Sequence, residues 1–317
     1  MPIKVPDNLP ALEDLRAEQV DVMAQEQALR QDIRPLKLLL LNLMPKKQET
    51  EIQFARLLGN SPLQIELILM TTASYTPRHT EPGYLRRFYR RLEDVREDFF
   101  DALIVTGAPV ERLPFEEVAY WPELTEILDW SRTHCFRRLG ICWGAQSLLY
   151  HFHNVPKYDC GQKLFGVYPH RLNDVSGRLM RGFTDNFPMP VSRYTENRQT
   201  DLENAGIEVL AESKACGIGL ARTPSNGDLF VLNHLEYDAE TLGTEYWRDR
   251  DQGLSTAIPH GYFPGDDPQA KPVNFWRPYA FLLMNNWIND LYQATPYDLS
   301  SLGRPHDEGQ SPRRLVT

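Results

Sequence analysis

Within GICWGAQ, residues 140–146, a cysteine lies between an apolar run (Leu139, Ile141) and a helix-forming run (Gln146, Ser147, Leu148, Leu149). Free cysteine is among the most buried residue types, so such a thiol is by default a core side chain. Three features argue that Cys142 does chemistry. Gly140 and Gly144 flank it at two residues on either side, giving G-x-C-x-G. This is the spacing of a nucleophile elbow, a strained strand-to-helix turn that tolerates only small neighbours and lifts one side chain out of the sheet. The helix that follows offers its N-terminal dipole, which lowers a thiol's pKa from its free value of about 8.5. Amides at the turn, including that of Trp143, can serve an oxyanion.

A second constellation is NHLEYD, residues 233–238, which closes the apolar run Leu229–Leu232. On an extended segment His234 and Glu236 project to the same face. A carboxylate placed there orients the imidazole, and a Cys nucleophile, a His base and an acid that fixes the base compose a triad. Taken alone, either motif is compatible with a structural role; both at the carboxyl ends of strands favour chemistry. The other histidines offer less. His151 and His153, two apart on a helix, point to different sides and make a poor metal site. His134 reads as a helix C-terminal cap, and His79, His170, His260 and His306 have no evident partners. Cys135, Cys160 and Cys216 lack the glycine context and read as buried or partly buried thiols.

The elements that must position these groups follow from hydropathy patterning. Leu36–Leu43, Leu63–Met70, Ala102–Thr106 and Arg138–Cys142 are nearly continuous apolar runs of strand length. Helical patterns over Glu49–Leu58, Tyr84–Glu97 and Trp121–His134 separate them. Continuous strands alternating with helices indicate a parallel sheet covered on both faces. In such sheets ligands gather at the carboxyl ends of the strands, where Cys142 falls. From Lys163 to Asn233 short alternating segments (KLFGVY, IEVLAE, GIGLAR, LFVLNH) predict antiparallel hairpins. Helices are expected over Ala17–Arg30, Tyr237–Asp249 and Phe275–Tyr292, with a Pro/Gly-rich loop at Ile258–Pro272 that could enclose a site. The expected organisation is an N-terminal arm (1–35), one α/β domain (36–300) and a disordered tail (301–317).

Composition bounds the function class. The chain has 317 residues, 42% hydrophobic and 24% charged, with a formal net charge of −9, which disfavours a nucleic-acid or anionic-membrane surface and leaves small-molecule chemistry. Four cysteines with no C-x-x-C pair fit neither a disulfide framework nor zinc and suit a reducing cytoplasm. No stretch approaches 18 consecutive apolar residues, so membrane insertion is not expected.

G-x-C-x-G-x-Q with a later H-x-E resembles the class I glutamine amidotransferases, whose triad is Cys, His and Glu. A closer resemblance is to the homoserine O-acyltransferase family. It is carried by LLLLNLMPKKQETEIQFARLLGNSPLQIELILM (38–70), DALIVTGAPVE (101–111), AYWPEL (119–124), CWGAQ, SRY (192–194), NHLEYD and FWRPYAFLLMNNWINDLYQATPYDL (275–299). The resemblance implies a flavodoxin-like, amidotransferase-type core with an antiparallel β extension. It implies Cys142 as acyl-thioester nucleophile, His234 as general base and Glu236 as its supporting carboxylate. It also implies Arg248 on the homoserine carboxylate, Lys163 as a substrate contact, Ser192 as a residue tied to substrate choice, and Lys46 and Lys47 near the site. In the family a glycine at the position of Glu111 goes with succinyl transfer and a glutamate with acetyl transfer. The expected activity is therefore transfer of acetyl from acetyl-CoA to L-homoserine for methionine biosynthesis, in the cytoplasm. No cofactor or metal is implied beyond acetyl-CoA as co-substrate, and the resemblance is compatible with a homodimer. Succinyl transfer, serine as acceptor and glutamine hydrolysis are the alternatives.

Overall fold

A computed structural model describes residues 34–75, 80–173 and 177–303, with two short strands, β1 (Ile3–Val5) and β2 (Val22–Ala24), before them. The helix expected over Ala17–Arg30 lies outside the described residues except at β2, where the backbone pairs in parallel with β1 and is extended.

The apolar runs form the centre of a ten-stranded sheet. In chain order its first half comprises β3 (Leu36–Leu41), helix α1 (Lys47–Leu58), β4 (Ile65–Met70), α2 (Pro82–Phe88), β5 (Tyr89–Arg90), α3 (Leu92–Val95), β6 (Phe100–Val105), α4 (Trp121–His134), β7 (Cys135–Ile141) and α5 (Trp143–His153). The second half adds β8 (Tyr158–Leu172), β9 (Asn186–Glu196), α6 (Gln199–Asn204), β10 (Glu208–Ser213), β11 (Gly217–Arg222), β12 (Leu229–Val231), α7 (Thr241–Asp251) and α8 (Arg277–Ala294). The strand order is β5-β4-β3-β6-β7-β12-β11-β10-β8-β9. Strands β5 to β12 in that order are parallel, and the remainder are antiparallel. The run β4-β3-β6-β7-β12 is the flavodoxin-like order, with β8 to β11 inserted before its last strand.

Continuous apolarity has the expected cause. Every residue of β6 is buried, and all of β3 but Lys37. Successive side chains supply opposite layers. Leu38, Leu40, Ala102 and Ile104 pack with Phe54, Leu57 and Trp287 from α1 and α8, whereas Leu39, Leu41, Leu103 and Val105 pack with Leu124, Leu128, Leu148 and Leu149 from α4 and α5.

Three expectations are corrected. The helix over Tyr84–Glu97 is broken by β5, which pairs Tyr89 with Leu69. The Tyr89 ring is buried, and its hydroxyl donates to Glu51 at 2.5 Å while accepting from Asn42, so tertiary hydrogen bonds override the local helical pattern. The segment LFVLNH is antiparallel only toward β11; β12 is parallel to β7, with Leu229 opposite Leu139 and Val231 opposite Ile141. The helix expected over Tyr237–Asp249 starts at Thr241, because turns at residues 235–236 and 239–240 precede it. Of the tail, Ser301–Gly303 completes a 3₁₀ turn, and the rest lies outside the described residues.

Strands β7 and β12, which end just before Cys142 and before His234, are tied farther back by a buried ion pair. Asp228 Oδ1 accepts the Arg138 amide at 2.8 Å and Oδ2 accepts Arg138 Nε at 2.8 Å, with the two side chains 2% and 7% exposed. Removing one partner strands a charge in the core. Asp228→Ala is therefore expected to cost about 3–5 kcal/mol, read as a lowered urea midpoint.

Candidate active site

Cys142 caps α5 with φ 50° and ψ −117°, a conformation that L side chains rarely adopt. Its amide donates to Val231 O at 2.7 Å and its carbonyl accepts from Gln146 N. The flanking glycines are required by space. A Cβ on Gly140 would lie 2.5 Å from Ala145 Cα, and one on Gly144 would lie 2.4 Å from Val105 O and 2.5 Å from Thr106 O. Elbow and sheet thus touch backbone to backbone. Gly107, at the end of β6, leaves room beside both Cys142 and His234; a Cβ there would be 3.5 Å from Cys142 Cβ and 3.7 Å from His234 Cε1.

His234 follows β12, its amide donating to Pro190 O at 2.9 Å. The imidazole Nδ1 is 2.7 Å from Glu236 Oε1, and the same side chain hydrogen-bonds Cys142. His234 and Glu236 meet across a turn rather than along a strand, since Tyr237 N donates back to His234 O. The three side chains that spacing nominated are therefore brought together and buried, though the expected extended geometry is not the reason. Burial by itself pushes the imidazolium's pKa down. The negative charges of Cys142 and Glu236, and the hydrogen bonds to both, outweigh that and hold it well above 6.5.

A second polar group adjoins this one. Lys163 on β8 donates to Asp249 Oδ2 at 2.8 Å and to Glu245 Oε2 at 3.5 Å. Ser192 on β9 donates to the same Glu245 oxygen at 2.5 Å. Arg248 Nε and its terminal nitrogen bracket Asp249 Oδ1 at 3.0 and 2.6 Å, with the Arg248 side chain 56% exposed. Arg248 also borders a groove of about 730 Å³ with Trp247, Phe263 and Lys271. Glu111 Oε1 accepts the Tyr194 amide at 3.3 Å. Desolvation raises the Glu111 pKa, against the charges of His234 and Lys163, which favour its ionised form.

The remaining candidates separate. Lys47 is buried with its ammonium on Asn42 O, and desolvation pushes its pKa down to about 8, whereas Lys46 is exposed and pairs with Glu49 at 2.9 Å. His170 has partners after all, fully buried between Tyr168 O, Asn233 Nδ2 and Cys216 Sγ. Among the described residues no group of three or more His, Cys, Asp or Glu could hold a metal ion, and no helix is long and apolar enough to cross a membrane.

Comparison with known proteins places this arrangement. Residues 2–297 match the family model described as homoserine O-succinyltransferase. The chain belongs to that family. It is 49% identical over 304 residues to the homoserine O-acetyltransferase of Rhizobium johnstonii, covering 96% of this chain and 99% of that one. The enzymes of that name from Hyphomonas neptunium and Brucella melitensis are each 48% identical over 305 residues, covering 96% of this chain and all of theirs. Among solved structures, a glutamine amidotransferase from Methylobacillus flagellatus superposes with a TM-score of 0.52 at 12% identity, covering 81% of this chain and 95% of that one. One from Thermotoga maritima gives 0.51 at 14%, covering 82% and 100%. These two establish a shared fold, as the sequence led one to expect.

Three residues that contact the candidate side chains are not singled out in the sequence analysis: Glu245, Asp249 and Tyr237. Glu245 and Asp249 are four apart and so share one face of α7, a spacing that with Lys163 in mind could have flagged them. Nothing local distinguishes Tyr237.

The raised His234 pKa fixes a sign. A folded-state pKa above the unfolded value contributes stability that is full below about pH 6.5 and lost as pH rises through the folded midpoint. Glu236→Gln removes one of the charges responsible. Its His234 titration, followed by the ring Cε1 proton in NMR, is expected to move to lower pH than in the parent chain.

Proposed function

We propose that the chain is a homoserine O-acetyltransferase that works through a Cys142 thioester, with residues 36–300 as the working α/β unit. The observation that carries the chemistry is the buried hydrogen-bonded series Cys142, His234, Glu236 at a strained elbow. What supports the cargo is Glu111 beside His234, together with relatives named for acetyl transfer at 48–49% identity.

In the first half-reaction the Cys142 thiolate attacks the acetyl-CoA carbonyl, and amides at the elbow, that of Trp143 among them, stabilise the oxyanion. The carbon–sulfur bond to CoA breaks, imidazolium His234 gives its proton to the leaving CoA thiolate, and an acetyl-enzyme remains. In the second, L-homoserine binds with its carboxylate on Arg248 and further contacts at Lys163 and Ser192. Neutral His234 takes the hydroxyl proton, and the oxygen attacks the thioester. The carbon–sulfur bond to Cys142 breaks, which restores the thiolate–imidazolium pair and releases O-acetyl-L-homoserine. Glu236 holds Nδ1 throughout. The reaction belongs to methionine biosynthesis, with small-molecule substrates and a cytoplasmic setting, and a homodimer is part of this reading.

Succinyl transfer is the second reading, favoured by the description of the family model itself. A succinyl group ends in a carboxylate that would meet Glu111. Two like charges 4 Å apart at an effective dielectric of 20 repel by about 4 kcal/mol, and half of that exceeds a tenfold rate factor.

Intact-mass spectrometry after mixing with acetyl-CoA alone should reveal one added acetyl group, absent in Cys142→Ala and discharged by homoserine rather than serine. Glu111→Gly should shift the ratio of succinyl-CoA to acetyl-CoA use upward by at least about tenfold. Equal use of both donors by the parent chain would contradict the acetyl assignment, and release of ammonia from glutamine would favour amidotransfer.

A further inference from the structure

Glu236 and Cys142 hold His234 at its ring edges, which leaves the tilt of the imidazole plane to whatever covers its face. That face is covered by Tyr237. Its ring lies parallel to the imidazole, with centroids 4.2 Å apart and planes at 19°. The Tyr237 ring is itself held at both ends. Its hydroxyl donates to Glu245 Oε1 at 2.8 Å, and its backbone carbonyl accepts from Trp276 Nε1 at 3.0 Å and Asn274 Nδ2 at 3.3 Å. Glu245 accepts through its other oxygen from Ser192 and Lys163, and Lys163 continues to Asp249 and Arg248. An unbroken series of contacts thus runs from the polar group on β8, β9 and α7 to the face of the imidazole.

We infer that Tyr237 is a positioning residue through which the acceptor-binding group sets the plane of the His234 base. The inference rests on the thioester reading above. The stack and the tether are separable by substitution. Tyr237→Phe keeps the ring over His234 and removes only the hydroxyl that reaches Glu245. Tyr237→Leu removes both.

Each half-reaction assigns a different contact. Acetyl-enzyme formation needs the imidazole beside Cys142, which the stack secures without the hydroxyl. Attack by the acceptor hydroxyl requires His234 and the bound acceptor to be in register, and the tether supplies that register.

The test is rapid-quench intact-mass analysis of both half-reactions, with acetyl-CoA and then homoserine, for the parent chain and the two variants, with thermal melts to establish that each is folded. Tyr237→Phe should form acetyl-enzyme within about twofold of the parent rate but discharge it to saturating homoserine about tenfold more slowly, the effect of one hydrogen bond to a charged partner. Tyr237→Leu should slow both steps. A folded Tyr237→Phe that discharges at the parent rate, or that loses equally in both steps, overturns the inference. If Tyr237→Phe does not fold, its place is taken by Glu245→Ala with Tyr237 intact, which leaves the ring over His234 and removes the acceptor of its hydroxyl; it should slow discharge at saturating homoserine more than it slows acylation, and equal losses in both steps, or no loss in discharge, overturn the inference as well. A parent chain that forms no acetyl-enzyme overturns the thioester reading and this inference with it, whereas a parent that acylates confines any failure to Tyr237.

Discussion

Backbone contact between the start of α5 and the end of β6 is the constraint on which the site depends. With Gly144 seated on the carbonyls of Val105 and Thr106, the helix begins closer to the sheet than any side chain would allow. Cys142 is forced to φ 50° as a result. Strain of this kind costs of order 1–3 kcal/mol and persists only where packing over-determines it. The packing here is dense. Trp143 is fully buried against Phe115, Tyr120 and Trp121, Leu148 and Leu149 are fully buried on the same helix, and the Cys142 amide is spent on Val231. That last bond joins the elbow to β12, so the geometry that lifts the thiol also fixes where the chain must place His234.

Charge then organises what sterics brought together. On the proposed reading the buried thiolate and imidazolium, each costly alone, compensate by adjacency. The charges of Cys142 and Glu236 together raise the His234 pKa against the lowering by burial. The neighbouring group of Lys163, Glu245, Asp249 and Arg248 is equally paired within itself. A zwitterionic acceptor carries one charge of each sign, so it can exchange into such a network without leaving a buried ion unmatched. A neutral alcohol cannot. On the proposed reading, this makes the acceptor's backbone charges, more than its hydroxyl, the source of its recognition.

The parts of this arrangement legible in the sequence are those governed by local sterics and burial. Gly140 and Gly144 encode a backbone approach, and runs such as ALIVT encode strands covered on both faces; the α4 helix, Trp121–His134, has the bounds its amphipathic pattern suggests. What was not legible depends on partners distant in the chain. Tyr89 leaves a helical pattern because Asn42 and Glu51 capture its hydroxyl. His170 has no partner nearby in the chain because Asn233 and Cys216 reach it only once β8, β10, β11 and β12 lie side by side. The spacing of two in His234-x-Glu236 predicts a strand pair, yet a turn produces the same meeting, since the carboxylate is long enough to reach Nδ1 from either backbone. Spacing identified the pair correctly without determining its conformation.

On the proposed reading, donor selection follows from the charges around Glu111. Its side chain is half-buried, receives one backbone hydrogen bond from Tyr194, and is drawn upward in pKa by desolvation. The Lys163 ammonium is engaged by Asp249 and Glu245, and that of Lys157 by the backbone carbonyls of Glu111 and Leu113. A second carboxylate entering beside Glu111 must therefore repel it, take a proton, or pull a cation from an existing partner, and each of these raises the barrier. An acetyl group asks for none of them. Replacing Glu111 with glycine would remove both the charge and the volume, which is the physical sense in which a single position can divide two acyl donors on one fold.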